Sequence, residues 1–529
     1  MTTTIISTNT IGAGPLFTYT TAGDQLIIIP GVTVGATSGL ALDGLGTADL
    51  ALTVLGSIAG TNALSFSGAD AVITIAAGGS FVSSEPLAAN CGIFLSGLNA
   101  TLTNDGVFIA PTAIGVLSVG TSKIVNTGTM QAASAVFLGL FGIADNVFTN
   151  SGSVLSNSYD DTSQTERYNN AVYSEGASTL ITNLATGTFT AVSSEGAGVR
   201  FGNFGGDSLL RNFGEITSVQ DYGVNLGTVV SGQAQIRVYN WGTISGLDGA
   251  YNGSINDDLL VNRGLLVGDV STGAGLDTLD NRGGTIEGNV TLGDSNDRYV
   301  ATGGGSASGA VYGDGGADTF FGNQNMAEVF VGGLGVDTLD FRLGGQVTLA
   351  LDLSFAQDGA ALGDTYFEME NVFGSDVGND VIRGNGFANA LFGFAGNDSL
   401  DGASGNDVLR GGTGVDTLTG GIGNDTFRFS ALNECGDVIT DFGNILSSDD
   451  RFQITAAAFG GGLVAGVLAA NQFVTRADNL AQDADDRFIF NTTDQTLWFD
   501  SNGNAAGGLT MVADLQAGAV VTAADILLI

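Results

Sequence analysis

Between residues 375 and 428 the chain sets a carboxylate, or once its amide, at every ninth position: Asp380, Asn389, Asp398, Asp407, Asp416 and Asp425. Six nonapeptides follow one another without a gap, as in Gly393-Phe-Ala-Gly-Asn-Asp398-Ser-Leu-Asp and Gly402-Ala-Ser-Gly-Asn-Asp407-Val-Leu-Arg. Glycine at the first and fourth positions allows a tight turn whose carbonyls face one centre, and the sixth residue adds a carboxylate. A large apolar side chain follows at the eighth position (Ile382, Leu391, Leu400, Leu409, Leu418 and Phe427), as a short strand with one buried face requires. Two such units make one turn of a roll. Asp380, Asp398 and Asp416 then line one edge, and Asn389, Asp407 and Asp425 the other. A donor set of carboxylate and carbonyl oxygens suits Ca²⁺ better than Mg²⁺ or zinc. Asn389 lacks the charge, so the position it shares with Asp407 is expected to bind most weakly.

Looser copies of the same turn precede the block. They place Asp277, Asp297, Asp318 and Asp337 about one coil apart, and Gly332-Gly-Leu-Gly-Val-Asp337-Thr-Leu fits best. These four aspartates are further candidate calcium ligands; Asp277, Asp297 and Asp318 read equally as ordinary turn residues.

Other chemistries are restricted by composition. The chain of 529 residues contains no histidine, which excludes Ser-His-Asp, Cys-His and HExxH centres. Cys91 and Cys435 lie far apart and form no CxxC motif, so buried free thiols are expected. A formal net charge of −39 repels nucleic-acid phosphates and anionic membrane surfaces and attracts multivalent cations. No stretch approaches the ~20 apolar residues of a membrane-spanning helix. The start, MTTTIISTNTIGAGPLF, lacks the basic and apolar regions of a Sec signal.

The elements that must carry these turns are short strands. From about residue 25 to 300, apolar stretches end in Asn-x-Gly corners at Asn104, Asn126, Asn150, Asn212, Asn240, Asn262 and Asn281. Asparagine and glycine both tolerate the backbone of a tight corner, and stacked amides can hydrogen-bond from coil to coil. One such coil cannot bury its inner face alone, whereas stacked coils share a core. The expected fold is all-β: a right-handed parallel β-helix continuing into a calcium-binding β-roll, with a small β-rich cap. The layout reads as 1–270 β-helix, 271–374 transitional solenoid, 375–428 nonapeptide roll and 429–529 cap. Residues 343–373 carry no repeat and read equally as a coil or an inserted loop.

The nonapeptide block resembles the RTX (repeats-in-toxin) calcium-binding β-roll. Residues from about 425 to 529 resemble the region that follows such repeats in serralysin-like exoproteins. The residues that carry this second likeness are Asp437-Val-Ile-Thr-Asp-Phe-Gly, Asp450-Arg-Phe, Asn471-Gln-Phe, Asp486-Arg-Phe-Ile-Phe, Leu497-Trp-Phe-Asp500-Ser-Asn-Gly and Ala524-Asp-Ile-Leu-Leu-Ile529. The resemblance implies an uncleaved type I secretion signal, export of an unfolded chain and folding outside the cell at millimolar calcium. The β-helix half resembles generic β-helices, so no family activity carries onto it. The expected role is an extracellular, non-catalytic structural protein of a surface layer, matrix or adhesin. Its expected partners are calcium, the type I secretion apparatus, and further copies or a cell-surface polysaccharide. The alternative is a polysaccharide lyase or epimerase using Arg211, Arg237, Arg263 or Arg282. RTX proteases and lipases need histidine and are excluded.

Overall fold

The computed structural model describes residues 2–529 apart from 14, 19–20, 41, 45–47, 63, 67–68, 84–92, 96–98, 111–113, 117–121, 133–135, 139–144, 158–169, 175–177, 193–195, 203–205, 228–234, 323–326 and 446–447. Cys91 lies outside the described residues. The chain forms an all-β solenoid with two compact units, residues 1–298 with 305–310, and residues 299–304 with 311–529.

In the first unit each coil gives one strand to each of three parallel sheets. Strands such as Thr101–Asn104, Ser178–Asn183 and Thr188–Ala191 alternate half-exposed and buried residues, the two-residue period of a sheet with one face in a core. In-register pairing then stacks like on like. Leu102, Ile124, Phe148, Ile181, Leu210, Val238, Leu260 and Leu279 form one continuous inward column of the first sheet. Phe108, Met130, Val154, Phe189, Ile216, Ile244, Leu266 and Ile286 form that of the second. Val172, Val199, Val224, Tyr251, Val270 and Val290 form that of the third.

The corner after each first-sheet strand holds an amide ladder. The Nδ2 of Asn104, Asn126, Asn150, Asn183, Asn212, Asn240 and Asn262 donates to the Oδ1 of the asparagine one coil on, ending at Asn281, over 2.7–2.9 Å. These side chains are fully buried, so the ladder meets the requirement that buried amides be hydrogen-bonded. Asn183 stands in register with the others, although its glycine follows four residues later, at Gly187. Before Asn104 the same corner position holds Ile28, Val54 and Ile75. The corner therefore changes from aliphatic to amide within one unit. The corner glycines are set by close stacking: a Cβ on Gly152 would lie 2.0 Å from the Gly128 carbonyl oxygen.

In the second unit the nonapeptides build a flattened roll of two parallel sheets. Val372, Leu391, Leu409, Phe427 and Phe452 face inward from one sheet, and Leu349, Ile382, Leu400, Leu418 and Ile439 from the other. Residues 343–373 are part of this architecture. Val347–Ala350 starts the second roll sheet by pairing with Val381–Arg383, while Thr365–Phe367 and Asn371–Phe373 pair with strands of earlier coils. After the roll, Leu509–Leu515 joins the sheet parallel to Asp437–Ile439, Thr496–Asp500 and Phe488–Asn491 continue it antiparallel, and Ile526–Leu528 adds to the opposite sheet beside Arg451–Ile454. Among the described residues no helix is long and apolar enough to cross a membrane.

Candidate calcium-binding edges

Each edge of the roll is a column of aspartates tied together through the backbone. The Oδ1 of each carboxylate accepts the N–H of the residue in the same place one coil earlier. On one edge Asp398 accepts from Asp380 (2.8 Å), Asp416 from Asp398 (2.7 Å) and Asp437 from Asp416 (3.1 Å). On the other, Asp407 accepts from Asn389 (2.7 Å), Asp425 from Asp407 (2.9 Å) and Asp450 from Asp425 (2.9 Å). The nine-residue spacing produces this because each turn-plus-strand returns the chain to the opposite edge, and 18 residues close one coil.

The second carboxylate oxygen is the chemically open one. The Oδ2 atoms of Asp398, Asp407, Asp416 and Asp425 are buried without a hydrogen-bond partner. A Cβ added at Gly393, Gly402, Gly411 or Gly420 would meet the Oδ2 of these aspartates, respectively, at 2.0–2.4 Å, so glycine keeps that space open. The turn glycines Gly396 and Gly414 adopt positive φ and bring carbonyls into line: a Cβ on Gly414 would stand 1.7 Å from the Gly396 oxygen. Among the described residues no three His, Cys, Asp or Glu side chains converge. The donor set is instead pairs of carboxylates with backbone carbonyls, all hard oxygens, which fits a calcium ion. Bound calcium would supply the positive charge that these buried carboxylates lack.

Electrostatics point the same way. Burial pushes the carboxyls of Asp398 and Asp407 up to about 7, that of Asp425 to about 6 and that of Asp437 to about 8; donated backbone N–H groups oppose the rise and neighbouring carboxylates add to it. Burial likewise raises Asp380 and Asp416. Without a cation, burial thus disfavours the ionised form of these carboxyls.

The remaining candidates divide by what their side chains do. Asp380 heads its column with Oδ2 taken by the Ser375 N–H at 2.6 Å. Asn389 stands in the opposite column, but its Oδ1 accepts from the Asn385 N–H and its Nδ2 donates to the Glu370 carbonyl. Asp318 and Asp337 repeat the ladder, with the Asp318 N–H on Asp337 Oδ1 at 2.8 Å, and Glu370 takes the next place by accepting the Asp337 N–H at 2.8 Å. In the first unit Asp297 accepts the Asp277 N–H, and Asp277 accepts that of Asp258, both at 2.7 Å.

Asp258, Glu370, Asp437 and Asp450 extend columns that the nine-residue pattern alone does not reach. So does a parallel ladder at the fifth position, where Asn379 and Asn397 accept N–H groups from Asn397 and Val415. The signal for Asp437 and Asp450 was an aspartate two residues before a buried apolar strand residue, Ile439 and Phe452.

Three of the four arginines considered for catalysis are engaged elsewhere. Arg237 pairs with Asp207 at 3.2 Å. Arg263 and Arg282 both clasp Asp280, at 2.9 and 2.6 Å. Burial opposes ionisation of Asp280, yet the two guanidiniums hold it well below the usual carboxylate range. Cys435 is a free thiol that burial, aided by Asp437 and Glu434, pushes up to about 12, so it stays protonated and inert.

No curated protein matches the chain. Solved structures of 32 chains do. One is the solution structure of the AlgE6R3 subunit from the Azotobacter vinelandii mannuronan C5-epimerase, 28% identical, covering 28% of this chain and 78% of that one at a TM-score of 0.21. The family model of the RTX calcium-binding nonapeptide repeat (4 copies) matches residues 375–409 and 401–431. The paired carboxylate columns of the roll are thus built from RTX calcium-binding nonapeptide repeats.

Proposed function

We propose that this chain is a secreted structural protein that folds its roll on calcium outside the cell, after type I export, and then associates with further copies or with cell-surface polysaccharide in a surface layer, matrix or adhesive coat. It catalyses no reaction in this reading. The observation that carries it is the row of buried aspartate Oδ2 atoms without partners. A buried unpaired charge is strongly destabilising, so the metal-free roll is disfavoured at cytosolic calcium. Each ion that binds only the folded form contributes RT ln(1 + [Ca]/Kd), about 1–2 kcal/mol at millimolar calcium for a Kd of ~10⁻⁴ M. Several sites together match the whole stability of a typical domain.

Association is supported by apolar side chains at the turn tips: Leu334, Phe387 and Ile422 are 80%, 70% and 71% exposed, and Val377 and Val415 are also exposed. Exposed apolar side chains recurring along both edges offer contact points for a partner. Circular dichroism of the full chain in EGTA and then excess calcium should show a gain of β-structure. Light scattering over the same titration should show rising mass. Unchanged spectra sink the folding part, and a monomer at every calcium concentration sinks the association part.

A further inference from the structure

The residue after each ladder asparagine forms a column of its own on the outside of the first unit. Its register is fixed by the backbone: the N–H groups of Ser151, Leu184, Phe213, Trp241 and Arg263 each bind the carbonyl of the asparagine one coil earlier. The column starts with Asp105, Thr127 and Ser151, as a solvated corner should. It then turns to Leu184, Phe213 and Trp241, all exposed, and ends in Arg263 and Arg282. The fold does not require apolar groups here, because Thr127 and Ser151 hold the same place two or three coils away.

The aromatic rings are ordered. Phe213 and Trp241 stack at 4.6 Å and 5°, and Tyr239 stacks on Trp241 at 5.9 Å from the adjacent outward column. In that column Arg211 stands in register with Tyr239. Arg211 is exposed and forms no ion pair among the described residues. From Leu184 to Arg282 the stripe covers four coil steps, roughly 19 Å. Stacked aromatic side chains beside arginines have the composition of the energetic centre of a protein–protein contact.

Charge selects the occupant. The stripe sets Arg211, Arg263 and Arg282 against Asp280 alone, in a chain with 15 basic and 54 acidic residues. Two copies meeting stripe to stripe would oppose arginine to arginine, so a two-fold contact is disfavoured. The stripe instead fits a surface that is both apolar and acidic. The second unit carries such spots where exposed Asp376 precedes exposed Val377, and where exposed Phe367 precedes exposed Glu368.

We propose that the stripe from Leu184 to Arg282 is the docking surface for the acidic, apolar spots of the second unit of another copy of this chain. This rests on the association part of the proposed function and names the surfaces that carry it. A contact between two different surfaces leaves one of each free, so it repeats along a row of copies unless the rotation closes a ring. It also requires calcium, since the second unit's turns form with the roll.

The test is sedimentation velocity of the full chain in millimolar calcium, for wild type, the double variant Phe213→Thr with Trp241→Thr, and Arg211→Glu. Threonine already stands in this column at Thr127, and an unchanged calcium-induced circular dichroism response verifies that the variants fold. Wild type should associate, and both variants should weaken that association at least tenfold. Raising the salt from about 0.1 M to about 1 M shortens the Debye length from ~10 Å to ~3 Å and should weaken it too. Variants that associate as tightly as wild type overturn the proposal and leave association through other surfaces standing; a wild type that stays monomeric overturns both. Trp241 emission in Trp498→Phe protein is a second readout that does not depend on how the stripe variants fold. It should move to the blue as mass rises, and an unmoved maximum at full association overturns the proposal. A monomer whose Trp241 emission moves only on adding polygalacturonate or dextran sulfate assigns the stripe to an anionic glycan and overturns the proposal as well.

Discussion

At the scale of single residues, the aspartate columns combine two demands on one side chain. One oxygen is a structural acceptor that fixes the backbone of the coil before it, and the other is left bare. This division explains a pH response with an unusual sign. The folded carboxyls of Asp398 and Asp407 stand at about 7 and that of Asp425 at about 6, above the unfolded value of about 4. A group raised on folding contributes stability that is complete below its unfolded pKa and is lost as pH rises through the folded one. In EGTA the roll should therefore unfold at a higher urea concentration at pH 5 than at pH 8. In saturating calcium the order should reverse, because protons then compete with the ion. A metal-free roll that is more stable at pH 8 than at pH 5 would contradict the picture of bare, buried carboxylates.

At the scale of the element, the asparagine corner is a ladder whose rungs are unequal. Asn104 is its first member: Ile75 lies one coil before it, and its Oδ1 is buried without a partner. Asn104→Ile shortens the ladder by one and only moves the orphaned oxygen to Asn126. Asn212→Ile cuts the ladder in two, removing the bonds to Asn183 and Asn240 and orphaning the Asn240 oxygen. The first substitution should cost well under 1 kcal/mol and the second about 1–3 kcal/mol, read from urea unfolding followed by Trp241 beside the Asn240 rung. Equal costs would mean that the rungs act as independent turns. Most of this ladder was legible as Asn-x-Gly, and the roll edges were legible as an Asp every ninth residue. What stayed hidden lies where coil length varies. Asn183 keeps register across 33 residues from Asn150 although its corner is longer, and Glu370 takes an aspartate's place 33 residues after Asp337. Asp437 and Asp450 join their columns 21 and 25 residues beyond Asp416 and Asp425. Register in a solenoid is set by stacking on the previous coil, so a longer coil keeps its place without leaving a periodic trace in the sequence.

At the scale of the whole molecule, the two units meet the same problem, a buried polar corner, with opposite chemistry. The first closes the corner after its first-sheet strands with aliphatic side chains and then with neutral amides that satisfy one another. The second closes its roll with carboxylates that depend on a partner from solution. Their stabilities should therefore respond to calcium to different extents, and the chain carries its own reporters: its two tryptophans fall one in each unit, Trp241 in the first and Trp498 in the second. Single-tryptophan variants, Trp498→Phe and Trp241→Phe, make each unit's unfolding visible alone. Going from EGTA to millimolar calcium should move the Trp241 transition by no more than one or two sites' worth, about 1–3 kcal/mol, since among the described residues the carboxylate ladder there is the short Asp258–Asp277–Asp297 column. The Trp498 transition should move by several times as much, because both roll edges lie in its unit. In EGTA at neutral pH a protease should accordingly cut first within the nonapeptides and spare a fragment containing the amide ladder. Equal calcium shifts of the two transitions would show that the amide-laddered coils depend on the cation as fully as the roll does, and the contrast between satisfied and unsatisfied corners would lose its energetic meaning.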